Sequence, residues 1–96
     1  MKLKNRIAII TGGGKGIGAE LSLKLASEGA KIIIAEMDVP NGELTAKKIR
    51  ENNGEAIVIK TNVADEDSVN NMANEAINVF GKIDILINNA GTRHIN

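Results

Sequence analysis

Four short apolar runs alternate along the chain with three stretches in which apolar residues recur every third or fourth position. The runs are Arg6–Ile10, Lys31–Ala35, Ala56–Ile59 and Ile83–Ile87, rich in isoleucine and valine and mostly continuous. Such continuity predicts strands covered on both faces, because a strand with one wet face would alternate. Between the first two runs, Ile17, Leu21 and Leu25 recur every four residues and predict one buried helix face. A second helix is expected over about Asn41 to Asn52, with Leu44, Ala46 and Ile49 as its apolar positions. Val69, Met72, Ala73, Ala76, Ile77 and Phe80 form the stripe of a third.

Punctuation agrees with this division. Each helical pattern stops at a glycine, Gly29, Gly54 or Gly81, the residue type that accepts a left-handed conformation just past a helix end. Asp65 suits an N-cap, with Glu66 and Asp67 in the first turn where the helix dipole favours acids. Pro40 can open the second helix. A repeated strand–helix unit predicts an α/β fold with a parallel sheet and right-handed crossovers. With the first strand central, the expected strand order is 3-2-1-4. The ligand crevice then lies at the C-terminal strand ends, where the order switches.

The connection after the first strand carries the chemistry. Thr11-Gly-Gly-Gly-Lys-Gly-Ile-Gly18 joins a buried strand directly to a helix start. A helix N-terminus offers unpaired N–H groups and the positive end of its dipole, and glycines keep side chains out of a ligand's way. Lys15 adds a positive charge. Gly-Lys is not followed by Ser or Thr, so a Walker loop does not fit. The fuller match is Gly12-x-x-x-Gly16-x-Gly18 preceded by Thr11, which resembles the turn of the short-chain dehydrogenase/reductase family. Asn88-Asn-Ala-Gly91, at the exit of the fourth strand, is the second motif similar to that family. The likeness runs from Lys4 to about Gly91.

That resemblance implies the N-terminal part of one Rossmann-type NAD(P)-binding domain over residues 1–96. The doubly wound sheet is incomplete, and the catalytic C-terminal part is absent. The implied cofactor-binding positions are Gly12, Gly14, Lys15, Gly16, Ile17, Gly18, Glu36, Asn62, Val63, Asn89, Ala90 and Gly91. Glu36, at the exit of the second strand, suits an acceptor of both adenosine ribose hydroxyls, and it repels a 2′-phosphate. Lys15 pulls towards NADP, since a basic residue there can pair with that phosphate. A carboxylate beside the 2′ position opposes phosphate binding more directly than a flexible lysine helps it, so NAD is expected over NADP. Asn62 stands where the family usually has an aspartate facing the adenine amino group, and its side-chain carbonyl keeps an acceptor.

Members of the family carry catalysis on a serine and a Tyr-x-x-x-Lys pair. This chain has no tyrosine, and Phe80 is its one aromatic residue. Ser22, Ser27 and Ser68 fall in or at the start of predicted helices, away from the crevice. No catalytic residue and no metal ligand set is therefore assigned, and the chain alone is expected to be inactive. His94 reads as a surface loop residue. An alcohol or carbonyl substrate belongs only to a longer form.

Composition narrows the alternatives. Twelve basic and twelve acidic residues cancel, which argues against a nucleic-acid or membrane-surface role. No cysteine, no secretory leader and no membrane-length apolar run point to a cytoplasmic setting. The fourth strand's outer edge is expected to be open, with two helices on one sheet face and one on the other. That imbalance predicts poor solubility, edge-paired dimers or marginal stability. Two other functions compete: a stand-alone nucleotide-binding or interaction module, and an S-adenosylmethionine methyltransferase. The methyltransferase lacks support from Asn88-Asn-Ala-Gly91.

Overall fold

The computed structural model describes residues 2–89. The elements run β1 (Ile7–Thr11), α1 (Gly16–Ser27), β2 (Lys31–Glu36), α2 (Val39–Glu51), β3 (Ala56–Lys60), α3 (Glu66–Phe80) and β4 (Ile85–Asn88). All strand pairs are parallel, in the order β3-β2-β1-β4. The expected fold class and strand order are both present. The fourth strand begins later than its apolar run, and the second helix opens at Val39 with Pro40 in its first turn.

The two sheet faces bury different residues of the same strands, as the pleat requires. Ala8, Ile10, Ile32 and Ile34 face α2's Ala46 and Ile49, with Leu23, Leu25 and Ala26 of α1 packed beside them. Ile7, Ile9, Ile33 and Ala35 face Met72 and Ala76 of α3. One face thus carries two helices and the other one. Leu86 of β4 stays 62% exposed.

Helix faces differ from the expected stripes in three places. In α1 the buried positions are Gly18 and Ser22, while Ile17 is 69% exposed. The helix sits so low over the turn that a Cβ on Gly13 would lie 3.0 Å from Ser22 Oγ, so small residues make the contact. In α2, Gly42, Thr45, Ala46 and Ile49 are buried and Leu44 is 60% exposed. In α3, Ile77 falls at the edge of the buried face and is largely exposed.

Helix ends also bring one correction. Beyond α2 the left-handed residue is Asn53 (φ 69°), not Gly54. Asn53 N–H donates to the Arg50 carbonyl and Gly54 N–H to that of Ile49, closing the last turn in the paired pattern of a Schellman end. Gly54 is small for another reason: a Cβ there would meet Ile49 Cγ2 at 2.7 Å. Asp65 caps α3 as expected, accepting from the amides of Asp67 and Ser68.

Candidate nucleotide-binding site

Residues from the exits of β2 and β4, together with α2, converge on the segment between β1 and α1. The sheet ladder continues past Thr11, because Gly12 N–H donates to the Ala35 carbonyl at 2.8 Å. From there the chain climbs through Gly13 and Gly14 to Lys15, which is exposed at the N-cap of α1. Gly16 has φ 58°, a conformation L side chains resist, with open space where a Cβ would be. Gly18 is closed in: a Cβ there would meet the Gly12 carbonyl oxygen at 2.1 Å. The first turn of α1 rests directly on backbone.

Helix α1 enters without the devices that finish the other two. Asp38 caps α2, accepting from Asn41 N–H, and Asp65 caps α3 with Glu66 and Asp67 behind it. Helix α1 has no side-chain cap and no acid in its first turn. Among the described residues, the amides of Gly16, Ile17 and Gly18 have no acceptor. A helix start with no acid in its own first turn, and with free N–H groups, is complementary to an anion.

Glu36 projects from the end of β2 into this turn. Its Oε1 accepts from Gly14 N–H at 3.0 Å and its Oε2 from Asp38 N–H at 3.3 Å. One amide per oxygen leaves lone pairs on both for further donors. At the β3 exit, Asn62 N–H donates to Ser68 Oγ at 2.9 Å, and Asn62 Oδ1 accepts from Ala64 N–H at 3.0 Å. Ser68, in the first turn of α3, therefore holds the backbone of Asn62, a predicted site residue. Val63 lines an apolar groove of about 280 Å³ on the α3 face, with Val69, Met72 and Leu86. At the β4 exit, Thr11 Oγ1 donates to Asn88 Oδ1 at 3.1 Å, and Asn89 Nδ2 donates to the Gly12 carbonyl at 3.3 Å. Ala90, Gly91 and His94 lie outside the described residues.

Sequence reasoning missed Thr45. Its hydroxyl, buried beneath the turn, donates to the Gly14 carbonyl at 3.2 Å. A polar residue amid the apolar positions of the second helix was the available signal.

The profile of the family described as short chain dehydrogenase matches residues 6–96. The chain belongs to that family. An uncharacterized oxidoreductase of Thermotoga maritima is 39% identical over 93 residues, 97% of this chain and 36% of that protein. The chain spans about a third of the length of the first curated relatives it matches. A Bacillus subtilis protein, the short-chain dehydrogenase/reductase homolog YusS, is 38% identical across 99% of this chain and 89% of its own length. A solved structure of 7α-hydroxysteroid dehydrogenase, complexed with NADH and 7-oxo glycochenodeoxycholic acid, superposes with a TM-score of 0.87. It is 30% identical and is matched over 88% of this chain and 33% of its own. Among the described residues, no helix is long and apolar enough to cross a membrane.

Proposed function

We propose that this chain is the cofactor-binding part of a cytoplasmic oxidoreductase that moves hydride between a nicotinamide dinucleotide and an alcohol or carbonyl substrate. The observation that carries the reading is the uncapped, acid-free start of α1 above a turn whose second wall is Glu36. The residues fit the group. The free amides of Gly16, Ile17 and Gly18 would hold the diphosphate, and the spare lone pairs of Glu36 would take the ribose hydroxyls. Asn62, Val63 and Asn89 would border the adenine side and the sheet's switch point, with Ala90 and Gly91 next in the chain. The dinucleotide itself supplies the hydride acceptor or donor. With no tyrosine in the sequence, this chain contributes binding and orientation but not the family's proton transfer.

The β2 exit favours NAD over NADP. Glu36 and Asp38 put two carboxylates where a 2′-phosphate would need donors, and Asp38 already occupies the α2 N-terminus. Lys15 is the one opposing charge on the turn. Titration of the chain with NADH and NADPH, followed by nucleotide fluorescence, tests the reading. Tighter NADH binding is expected, tighter NADPH binding reverses the preference, and binding of neither removes the cofactor role.

A second reading, a stand-alone binding module without turnover, gains support from YusS, whose length this chain nearly covers. The intact mass of the natural product separates the two. A product more than twice this length that carries Tyr-x-x-x-Lys favours the enzyme. Accumulation of a 96-residue chain favours the module.

A further inference from the structure

Gly14 is gripped through both of its backbone polar atoms by buried side chains that come later in the chain. Its N–H donates to Glu36 Oε1 and its carbonyl accepts from Thr45 Oγ1. Glu36 is 8% exposed and Thr45 4%. A threonine inside a helix ordinarily returns its hydroxyl to a carbonyl one turn earlier in the same helix. Thr45 reaches across to another element instead, at the centre of α2, where a threonine does little for helix propensity. The fit around the grip is close: a Cβ on Gly14 would lie 2.7 Å from Gly42 N and 2.9 Å from the Asn41 carbonyl carbon. The turn is seated on the first turn of α2.

We propose that Thr45 is a positioning residue for the dinucleotide turn, an inference that rests on the cofactor reading above. Three successive glycines have more backbone freedom to lose than any other tripeptide, so the turn needs an external anchor. Glu36 provides one, but its oxygens are also those offered to the ribose. Thr45 is the anchor that the ligand leaves alone. By fixing the Gly14 carbonyl, it holds the following amides of Gly16, Ile17 and Gly18 in one direction, whether or not Glu36 is shared with a ribose. The diphosphate then meets donors that are already ordered, which lowers the ordering cost of binding.

The test compares Thr45→Val, which removes the hydroxyl at similar size, with Thr45→Ser, which keeps it. NADH, ADP and adenosine are titrated at a temperature well below each variant's unfolding midpoint. Thr45→Val is expected to weaken NADH and ADP about tenfold, the scale of one lost buried hydrogen bond. Adenosine, which has no phosphate to meet the turn, is expected to bind unchanged, and Thr45→Ser to stay within about twofold of the unaltered chain. If Thr45→Val does not fold, Thr45→Ala removes the same hydroxyl without a branched replacement. Unchanged NADH affinity in the variant, equal losses in Thr45→Val and Thr45→Ser, or an adenosine loss in step with NADH would each overturn the inference. Failure of the unaltered chain to bind NADH would instead overturn the cofactor reading, and this inference with it.

Discussion

The Glu36 carboxylate and the Gly14 N–H, 22 residues apart in sequence, are joined by a 3.0 Å hydrogen bond at the mouth of the crevice. The side chain proposed to read the ribose therefore also supports the turn beneath the diphosphate. On that proposal, specificity and architecture share one residue.

Glu36→Ala is accordingly expected to do two things. The NADH-to-NADPH affinity ratio should fall, because the charge opposing a 2′-phosphate is gone. Stability should also drop by about 1–3 kcal/mol, because the buried Gly14 amide loses its acceptor. Paired nucleotide titrations and denaturant unfolding measure the two effects separately. An unchanged ratio would remove Glu36 from the specificity argument.

Gly16 and Gly18 should respond to alanine in different ways. At Gly16 the space is open and only the positive φ is penalised, so Gly16→Ala should cost about 1–2 kcal/mol with the fold kept. At Gly18 the new Cβ would meet the Gly12 carbonyl at 2.1 Å, and neither backbone segment can yield cheaply. Gly18→Ala should lose about 4 kcal/mol or more, in the range of severe overpacking. Circular dichroism melts of the pair provide the comparison, and equal costs would contradict the close approach.

Ser68→Ala tests the β3 exit. Removing Oγ takes away the acceptor of the Asn62 N–H while leaving the Asp65 cap in place. Adenosine affinity should weaken by about threefold to tenfold, with stability lowered by about 1 kcal/mol. Isothermal calorimetry with adenosine measures the first and thermal unfolding the second. Unchanged adenosine affinity would separate Ser68 from the site.

Asp84, at the opposite end of the sheet, should contribute a pH-dependent share of the stability. The Ile7 N–H, donating to Oδ2 at 2.8 Å, holds its carboxyl below the ordinary value of 3.8, helped by Lys82 at 3.1 Å and Arg6 at 3.5 Å. A lowered folded-state pKa stabilises fully above 3.8, and the stabilisation is lost as pH falls through the folded value. Asp84→Asn should therefore be less stable than the unaltered chain at about pH 7, and the gap should narrow towards about pH 3. Thermal melts across that range would show it. A gap constant with pH would assign the loss to packing alone.

The first three strands were legible because each is a continuous, mostly Ile/Val run bounded by turn residues, and the glycine turn because its spacing is particular. Strand β4, behind Asp84, alternates between half-buried and exposed residues instead of being covered on both faces. The buried face of α1 was not legible. A period-four stripe of Ile17, Leu21 and Leu25 draws attention to large residues, yet close seating on a turn selects small ones, Gly18 and Ser22. The Gly18–Ser22–Ala26 spacing was the clue. Leu44 misled for a related reason, since apolar character in a short helix does not say which way the helix faces. Asn53 and Thr45 escaped because one polar side chain reads alike whether it ends a helix, supports a turn or faces water. Only the partner distinguishes these, and Thr45's partner is 31 residues away.

The β1–β4 pairing has a consequence for synthesis. Residue 8 of β1 lies beside residue 85, and the Asn89 amide that secures Gly12 comes 77 positions later. At a translation rate of about 5–20 residues per second, the Ile-Ala-Ile-Ile strand waits roughly 4–15 s on the nascent chain before its second neighbour exists. Throughout that interval the turn is already complete in covalent terms, but one side of β1 remains a bare, aliphatic edge.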